Sequence, residues 1–241
     1  MADSDTVARS GGDVGSIRLH GIKACVFDAY GTLFDVNSAS RAAHDALGSR
    51  WQPLADLWRT KQLQYTWLRG LAGHHADFWQ VTSDALSFAM ETLGIEDADL
   101  HDRLMSLYGS LDAFPEVKPT LERLRAAGLT LAILSNGTPA MLASAVASSG
   151  IGPLLDAVLS VEEVGVYKPH PSVYRLAAER LKLAPREICF VSSNGWDAHA
   201  AKAFGFRVIW CNRSNQAPER IPATPDAVLP TLSGLPDAVA P

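Results

Sequence analysis

The sequence predicts an α/β protein: a doubly wound parallel sheet with an all-helical segment inserted after its first strand. Three observations predict it. Short apolar runs recur without polar alternation, as strands do when helices cover both faces of a sheet. From residue 119 onward these runs alternate with helical patterns, the order of an α/β core. Between residues 36 and 112 the alternation stops and only helical patterns occur.

The elements follow in chain order. The opening "MADSDTVARSGGDVGSIRLHG" lacks the apolar centre of a secretory signal, and residues 1–19 read as a disordered tail. "IKACVFDA" (22–29) is the first strand. The helical stretches "SRAAHDALG", "QPLADLWRTKQLQYTWLR", "ADFWQVTSDALSFAMETLG" and "DADLHDRLMSLYGSL" fill 36–112, which is read as a cap domain. The core domain is then 20–35 plus 113–241. "PTLERLRAAG" (119–128) has Pro near its start and Gly past its end, the usual asymmetry of a helix. "LTLAILSN" (129–136) is a strand, "TPAMLASAVASSG" (138–150) a helix and "DAVLSV" (156–161) a weaker strand. "PSVYRLAAERLK" (171–182) sets Val173, Leu176, Ala177 and Leu181 on one helical face. "ICFVSSN" (188–194) and "RVIWCN" (207–212) are further strands. The Pro-rich "APERIPATPDAVLPTLSGLPDAVAP" is expected to run over the surface.

Composition narrows the function. With 47% apolar and 20% charged residues in 241, the chain can bury a substantial core. A net charge of −5 gives no bulk attraction for nucleic acid or an anionic membrane, and no apolar run reaches transmembrane length. Cys25, Cys189 and Cys211 each sit inside an apolar run, with no metal-ligand spacing between them. They read as buried reduced thiols, which points to a reducing, cytoplasmic compartment.

Three strands end in polar residues on one side of the sheet: Asp28, then Ser135-Asn136, then Ser192-Ser193-Asn194 with Trp196 and Asp197 beyond. Ligands of open parallel sheets bind outside these carboxyl ends. Lys168, in "VYKPH", adds a cation from a loop. Taken singly, the Ser and Asn residues are ordinary turn and cap chemistry, and Lys168 is an ordinary solvated lysine. Asp28 is different, because an unpaired carboxylate at the end of a buried strand is costly. Together the segments point to one site.

With these residues in place, the sequence resembles the haloacid dehalogenase superfamily. The matches are "FDAYGTL" (27–33), "LSNG" (134–137), "YKPHPSVY" (167–174) and "VSSNGWD" (191–197), in the superfamily's order, with "LWRTKQLQYTWLR" (57–69) in the cap. Most members are Mg²⁺-dependent phosphatases whose first motif carries a second Asp as general acid. Here Tyr30 stands at that position, and Ser193 stands where phosphatases commonly place a further metal-binding Asp. Both departures match the metal-free L-2-haloacid dehalogenase branch (type II). The resemblance implies a Rossmann-like core, no metal, no cofactor, and a small 2-haloacid and water as the reacting partners. Asp28 would be the nucleophile that displaces halide and forms an ester. Thr32, Lys168, Tyr174, Ser192, Asn194 and Asp197 would position it and help water cleave the ester. Arg59 and Asn136 would cradle the halide, and Ser135 with backbone N–H groups would take the substrate carboxylate. Tyr30, Leu63, Phe78 and Trp196 would form the apolar wall. A homodimer through the apolar cap helices is a further expectation.

The chemistry is consistent with these residue types. An alkyl halide has a good leaving group and needs no general acid. A second carboxylate beside Asp28 would repel it by on the order of 4 kcal/mol at about 4 Å and an effective dielectric of about 20. Without the resemblance, Arg59 reads as a rim arginine, Tyr174 as a half-buried helix tyrosine, Phe78 and Trp196 as core, and His74, His75 and His199 as surface. A Mg²⁺-dependent phosphatase with an atypical first motif and a silent anion- or partner-binding scaffold are the competing functions.

Overall fold

The computed structural model describes residues 18–239. The expected tail over 1–19 lies outside that range except at its end. There it is corrected: Leu19 is buried and its N–H donates to Ala238 O at 2.7 Å. β1 (Ala24–Phe27) is followed by α1 (Ser38–Ala42), α2 (His44–Leu47), α3 (Trp51–Ala72), α4 (Phe78–Thr92) and α5 (Ala98–Tyr108). Then come α6 (Val117–Ala126), β2 (Thr130–Ser135), α7 (Pro139–Ser149), β3 (Ala157–Ser160) and α8 (Pro171–Leu181). β4 (Ile188–Ser192), α9 (Gly195–Phe204), β5 (Arg207–Cys211), β6 (Ala227–Leu229) and α10 (Leu235–Val239) complete the described residues.

The strands form one parallel sheet in the order β3-β2-β1-β4-β5-β6. The winding reverses between β1 and β4, so the crevice of a doubly wound fold opens at the carboxyl end of β1. Register brings the ends of the central strands level: Phe27 faces Ile133 of β2 and Val191 of β4. Asp28 extends that ladder, donating its N–H to Val191 O at 2.9 Å. All four residues of β1 are buried, as expected of an apolar run covered on both faces.

The helices α1–α5 leave and rejoin the core through adjacent backbone segments. Asp35 N–H donates to Asp112 O at 2.8 Å, and Phe114 N–H to Leu33 O at 3.0 Å. On α3 the buried residues Leu54, Ala55, Trp58, Gln62 and Thr66 recur at helical spacing and meet the buried stripe of α4, which includes Val81, Ala85, Leu86 and Ala89. Each buried leucine there contributes about 1.5–3 kcal/mol over an exposed one. Asp77 caps α4 by accepting the Gln80 N–H at 2.8 Å, and Asp97 caps α5 through the Leu100 N–H at 2.8 Å. α3 stops at Gly73, whose φ of 68° is a left-handed conformation that side chains disfavour.

The expectation for the C-terminal stretch is corrected in part. It adds a sixth strand and a closing helix, with Ala227, Leu232, Leu235 and Val239 buried. β6 is only three residues long and lies between Pro225 and Pro230, so its composition masks it. Proline is tolerated there because β6 is an edge strand. No described helix is long and apolar enough to cross a membrane.

Candidate active site

Three donors converge on the Asp28 carboxylate, which is 6% exposed. Thr32 Oγ1 and Asn194 Nδ2 each donate to Oδ2 at 3.0 Å, and Lys168 Nζ donates to Oδ1 at 3.0 Å. Thr32 follows Asp28 in the tight turn that ends β1, and its hydroxyl oxygen accepts the Ser193 N–H at 2.7 Å. Asn194 occupies the N-cap position of α9 after β4 without a side-chain cap bond, and its own N–H donates to Ser192 Oγ at 3.2 Å. Two neighbouring strand ends therefore fix one carboxylate from both sides.

Lys168 is 1% exposed, not a solvated loop residue. Its backbone N–H donates to Asn136 Oδ1 at 3.1 Å, which ties the loop to the end of β2. Its Nζ also donates to Asp197 Oδ2 at 2.9 Å, and Tyr174 OH donates to Asp197 Oδ1 at 2.7 Å. Burial alone would lower the Lys168 ammonium, but the Asp197 and Asp28 carboxylates outweigh it and hold the group above its ordinary value. Burial, with Asp197 beside it, holds the Tyr174 hydroxyl well above the usual tyrosine range. The result is a fixed cation shared by two carboxylates, with a neutral phenol as the last donor.

Arg59, on α3, reaches across to this cluster. Its Nη2 donates to Asn194 Oδ1 at 3.1 Å and to Tyr30 O at 3.3 Å. Asn194 thus links the Asp28 carboxylate to the Arg59 guanidinium through the two ends of one amide. Arg59, Leu63, Asn194 and Trp196 line a cleft of about 650 Å³. Trp196 also borders a second, apolar pocket of about 410 Å³, with Trp67, Gly70 and Val166 across from it. Its ring meets that of Trp67 edge-on at 5.3 Å.

Tyr30 and Phe78 lie behind the cleft rather than on its wall. Tyr30 is 3% exposed and Phe78 1%, with ring centroids 5.7 Å apart. Tyr108 stacks on Tyr30, also at 5.7 Å and 13° from parallel. Burial, with Tyr108 and Asp28 nearby, pushes the Tyr30 hydroxyl up, so the ring is neutral and adds no negative charge beside Asp28. Ser135 is fully buried and its oxygen accepts the Gly137 N–H at 3.0 Å.

The sequence reading also needs revision outside this cluster. His199 is buried at 3%, with Nδ1 3.3 Å from Ile221 O, because it lies on the inner face of α9. His74 and His75 are exposed. The three cysteines are buried free thiols, and burial pushes Cys211 up to about 11, far from a thiolate at neutral pH. Gln62 and Tyr108 escaped the sequence reading. Gln62 accepts from Arg59 Nη1 at 2.7 Å and bonds Tyr108. The available signal was a polar residue in line with Leu54, Trp58 and Thr66 on the apolar stripe of α3. Among the described residues, no group of three or more His, Cys, Asp and Glu side chains is arranged to hold a metal ion.

Comparison with known proteins gives a consistent result. Residues 22–205 match the haloacid dehalogenase-like hydrolase family. The chain is 49% identical over 217 residues to (S)-2-haloacid dehalogenase 1 of Pseudomonas sp. (strain CBS-3), covering 89% of this chain and 95% of that one. It is 48% identical over 199 residues to (S)-2-haloacid dehalogenase 4A of Burkholderia cepacia, covering 82% and 86%. Among solved structures, it matches an L-2-haloacid dehalogenase from Xanthobacter autotrophicus carrying covalently bound chloropropionic acid, with a TM-score of 0.81. That pair is 41% identical over 89% of this chain and 97% of the other.

Proposed function

The chain belongs to the haloacid dehalogenase-like hydrolases, and from that premise we propose that it hydrolyses short L-2-haloalkanoic acids to D-2-hydroxy acids with Asp28 as nucleophile. The observation that carries this reading is the Asp28 carboxylate, held by Thr32, Asn194 and Lys168 with the Tyr30 ring in the second acid position.

A carboxylate oxygen of Asp28 attacks C2 of the haloacid from the side opposite the halogen. The C–O bond forms as the carbon–halogen bond breaks, and the halide leaves with the electron pair. One inversion occurs at C2. Arg59 and Asn136 receive the developing halide charge, since donors placed where charge appears stabilise the transition state most. Ser135 and the backbone around Tyr30 receive the substrate carboxylate. Leu63 and Trp196 cover the carbon chain, with Phe78 and Tyr30 as the layer behind them.

The ester is then cleaved at the Asp28 carbonyl carbon. The donors on the oxygen not bonded to C2 polarise that carbonyl, while those on the other oxygen remain against the ester oxygen. Water adds to the carbonyl carbon and its proton passes to Asp197. As the tetrahedral adduct collapses, the C–O bond to the product breaks and the product alkoxide takes the proton held by Asp197. The re-formed Asp28 carboxyl gives its remaining proton to solvent, so each turnover releases one halide and one proton. Tyr174 and Lys168 hold Asp197 in place, and Ser192 holds the Asn194 backbone. Lys168 stays charged throughout.

This route asks for no metal. A hard cation wants several oxygen ligands, and Ser193 stands where a phosphatase would offer a metal-binding carboxylate, while Tyr30 removes the carboxyl of the general acid. Residues 36–112 act as the cap over the cleft. The exposed Leu68 and Leu71 on α3 and Trp79 and Phe88 on α4 support a homodimer formed through this cap. The three reduced cysteines support a cytoplasmic location. The test is halide release from L- and D-2-chloropropionate with and without EDTA. Release from the L form alone, unchanged by EDTA, is expected. Phosphate release that EDTA suppresses, with no halide release, contradicts the proposal.

A further inference from the structure

Gln62 is 1% exposed, a neutral amide within the buried face of α3. The hydrogen bonds around it determine which end of the amide faces which neighbour. Thr82 Oγ1 donates its proton to Phe78 O at 2.5 Å, so that hydroxyl can only accept from Gln62. Gln62 Nε2 accordingly donates to Thr82 Oγ1 at 2.8 Å. Oε1 must then face Arg59, and it accepts from Nη1 at 2.7 Å. Tyr108 OH closes the network, 3.0 Å from Nε2 and 3.3 Å from Oε1. Trp58 Nε1 donates to Thr82 O at 2.8 Å, fastening the far end to α4.

The groups that bond Arg59 are all neutral: Gln62 Oε1, Tyr30 O and Asn194 Oδ1. Among the described residues no carboxylate forms an ion pair with it, whereas Arg41, Arg69, Arg103 and Arg213 each have one. A glutamate has the same shape as glutamine and would accept the same hydrogen bond. It would also cancel the guanidinium charge.

We propose that Gln62 is a positioning residue that anchors Arg59 over the cleft while leaving its positive charge uncompensated for an anion bound there. This rests on the reading of Arg59 as a group that meets the departing halide. The orientation runs from the backbone of α4 through Thr82 and Gln62 to the guanidinium. It explains why a polar side chain occupies the apolar stripe between Trp58 and Thr66.

Gln62→Glu tests the charge and Gln62→Met tests the anchor. For each, kcat, KM with L-2-chloropropionate, and inhibition by added bromide are measured from about pH 5 to 9. The Glu variant should lose roughly tenfold to a hundredfold in kcat/KM at the alkaline end, the range spanned by a hydrogen bond to a charged group. Bromide inhibition should weaken in parallel. Both losses, expressed relative to the parent enzyme, should exceed those of the Met variant. The Met variant should show a smaller loss that does not vary with pH. A Glu variant that loses no more than the Met variant in kcat/KM and bromide inhibition overturns the charge argument. If that variant does not fold, a Met variant with parental kinetics and bromide inhibition overturns the proposal. Arg59→Met separates the two levels. If it leaves turnover and bromide inhibition unchanged, the reading of Arg59 fails. If it impairs both while the Gln62 variants do not, only the role of Gln62 fails.

Discussion

Lys168 Nζ lies 3.0 Å from Asp28 Oδ1, and both side chains are buried. Among the described residues the lysine is the only hydrogen-bond donor to Asp28 that carries a charge. It also holds Asp197, so its removal strands two carboxylates together. Lys168→Met should cost about 3–5 kcal/mol, the range for breaking a buried pair from one side. Activity should fall below detection. Urea unfolding and halide release check the two effects.

The pH dependence follows from the same lysine. Its folded value lies above the ordinary 10.5. A raised lysine contributes stability that is fully present below its unfolded value and is lost as pH rises through the folded one. At alkaline pH, where the stranded carboxylates are ionised in the unfolded chain and Lys168 is still charged, the difference in unfolding free energy between the parent and Lys168→Met should show no loss of the lysine's contribution until about pH 10. The parent's kcat/KM should show no basic limb from Lys168 or Tyr174 in that range. A loss of the lysine's contribution near pH 8 or 9, seen in urea titrations, contradicts a charge-paired Lys168.

Gly137 lies against the ring of Tyr30. A Cβ built on Gly137 would stand 2.6 Å from Tyr30 Cε2. The ring cannot yield easily, being enclosed by Tyr108 and Phe78. Gly137→Ala should cost about 1–3 kcal/mol, as overpacking does, and should lower kcat/KM by displacing Tyr30. Thermal unfolding and steady-state kinetics decide it. Parental values in both would mean that the ring is not fixed.

Tyr174→Phe removes the 2.7 Å donor to Asp197 without emptying the site. A hydrogen bond to a charged group contributes about 1.5–3 kcal/mol. The loss should appear in kcat, with little change in KM, because Tyr174 stands behind Asp197 and away from the cleft. A change confined to KM would place Tyr174 in substrate binding.

The strands and their polar ends were legible because a buried parallel strand leaves a distinctive apolar run, and a carboxylate at its end is costly to ignore. Asp28, Asn136, Ser192 and Asn194 could be read that way. Arg59 and Lys168 could not. Nothing local distinguishes them from solvated cations, and only tertiary packing brings them beside Asn194 and Asp28. Phe78 shows the reverse case. Its residue type read as core and only the resemblance put it on the pocket wall; the fold buries it against Tyr30. The Pro-rich C-terminus concealed β6, since an edge strand accepts flanking prolines that a central strand would not.

The central claim is that Asp28 forms a covalent ester that water cleaves at the carbonyl carbon. A single turnover in ¹⁸O-water, with enzyme in excess over L-2-chloropropionate, followed by mass analysis of the peptide containing Asp28, tests it directly. One ¹⁸O in the Asp28 carboxylate and none in the lactate is the predicted result. Label in the lactate with none in Asp28 would contradict the account.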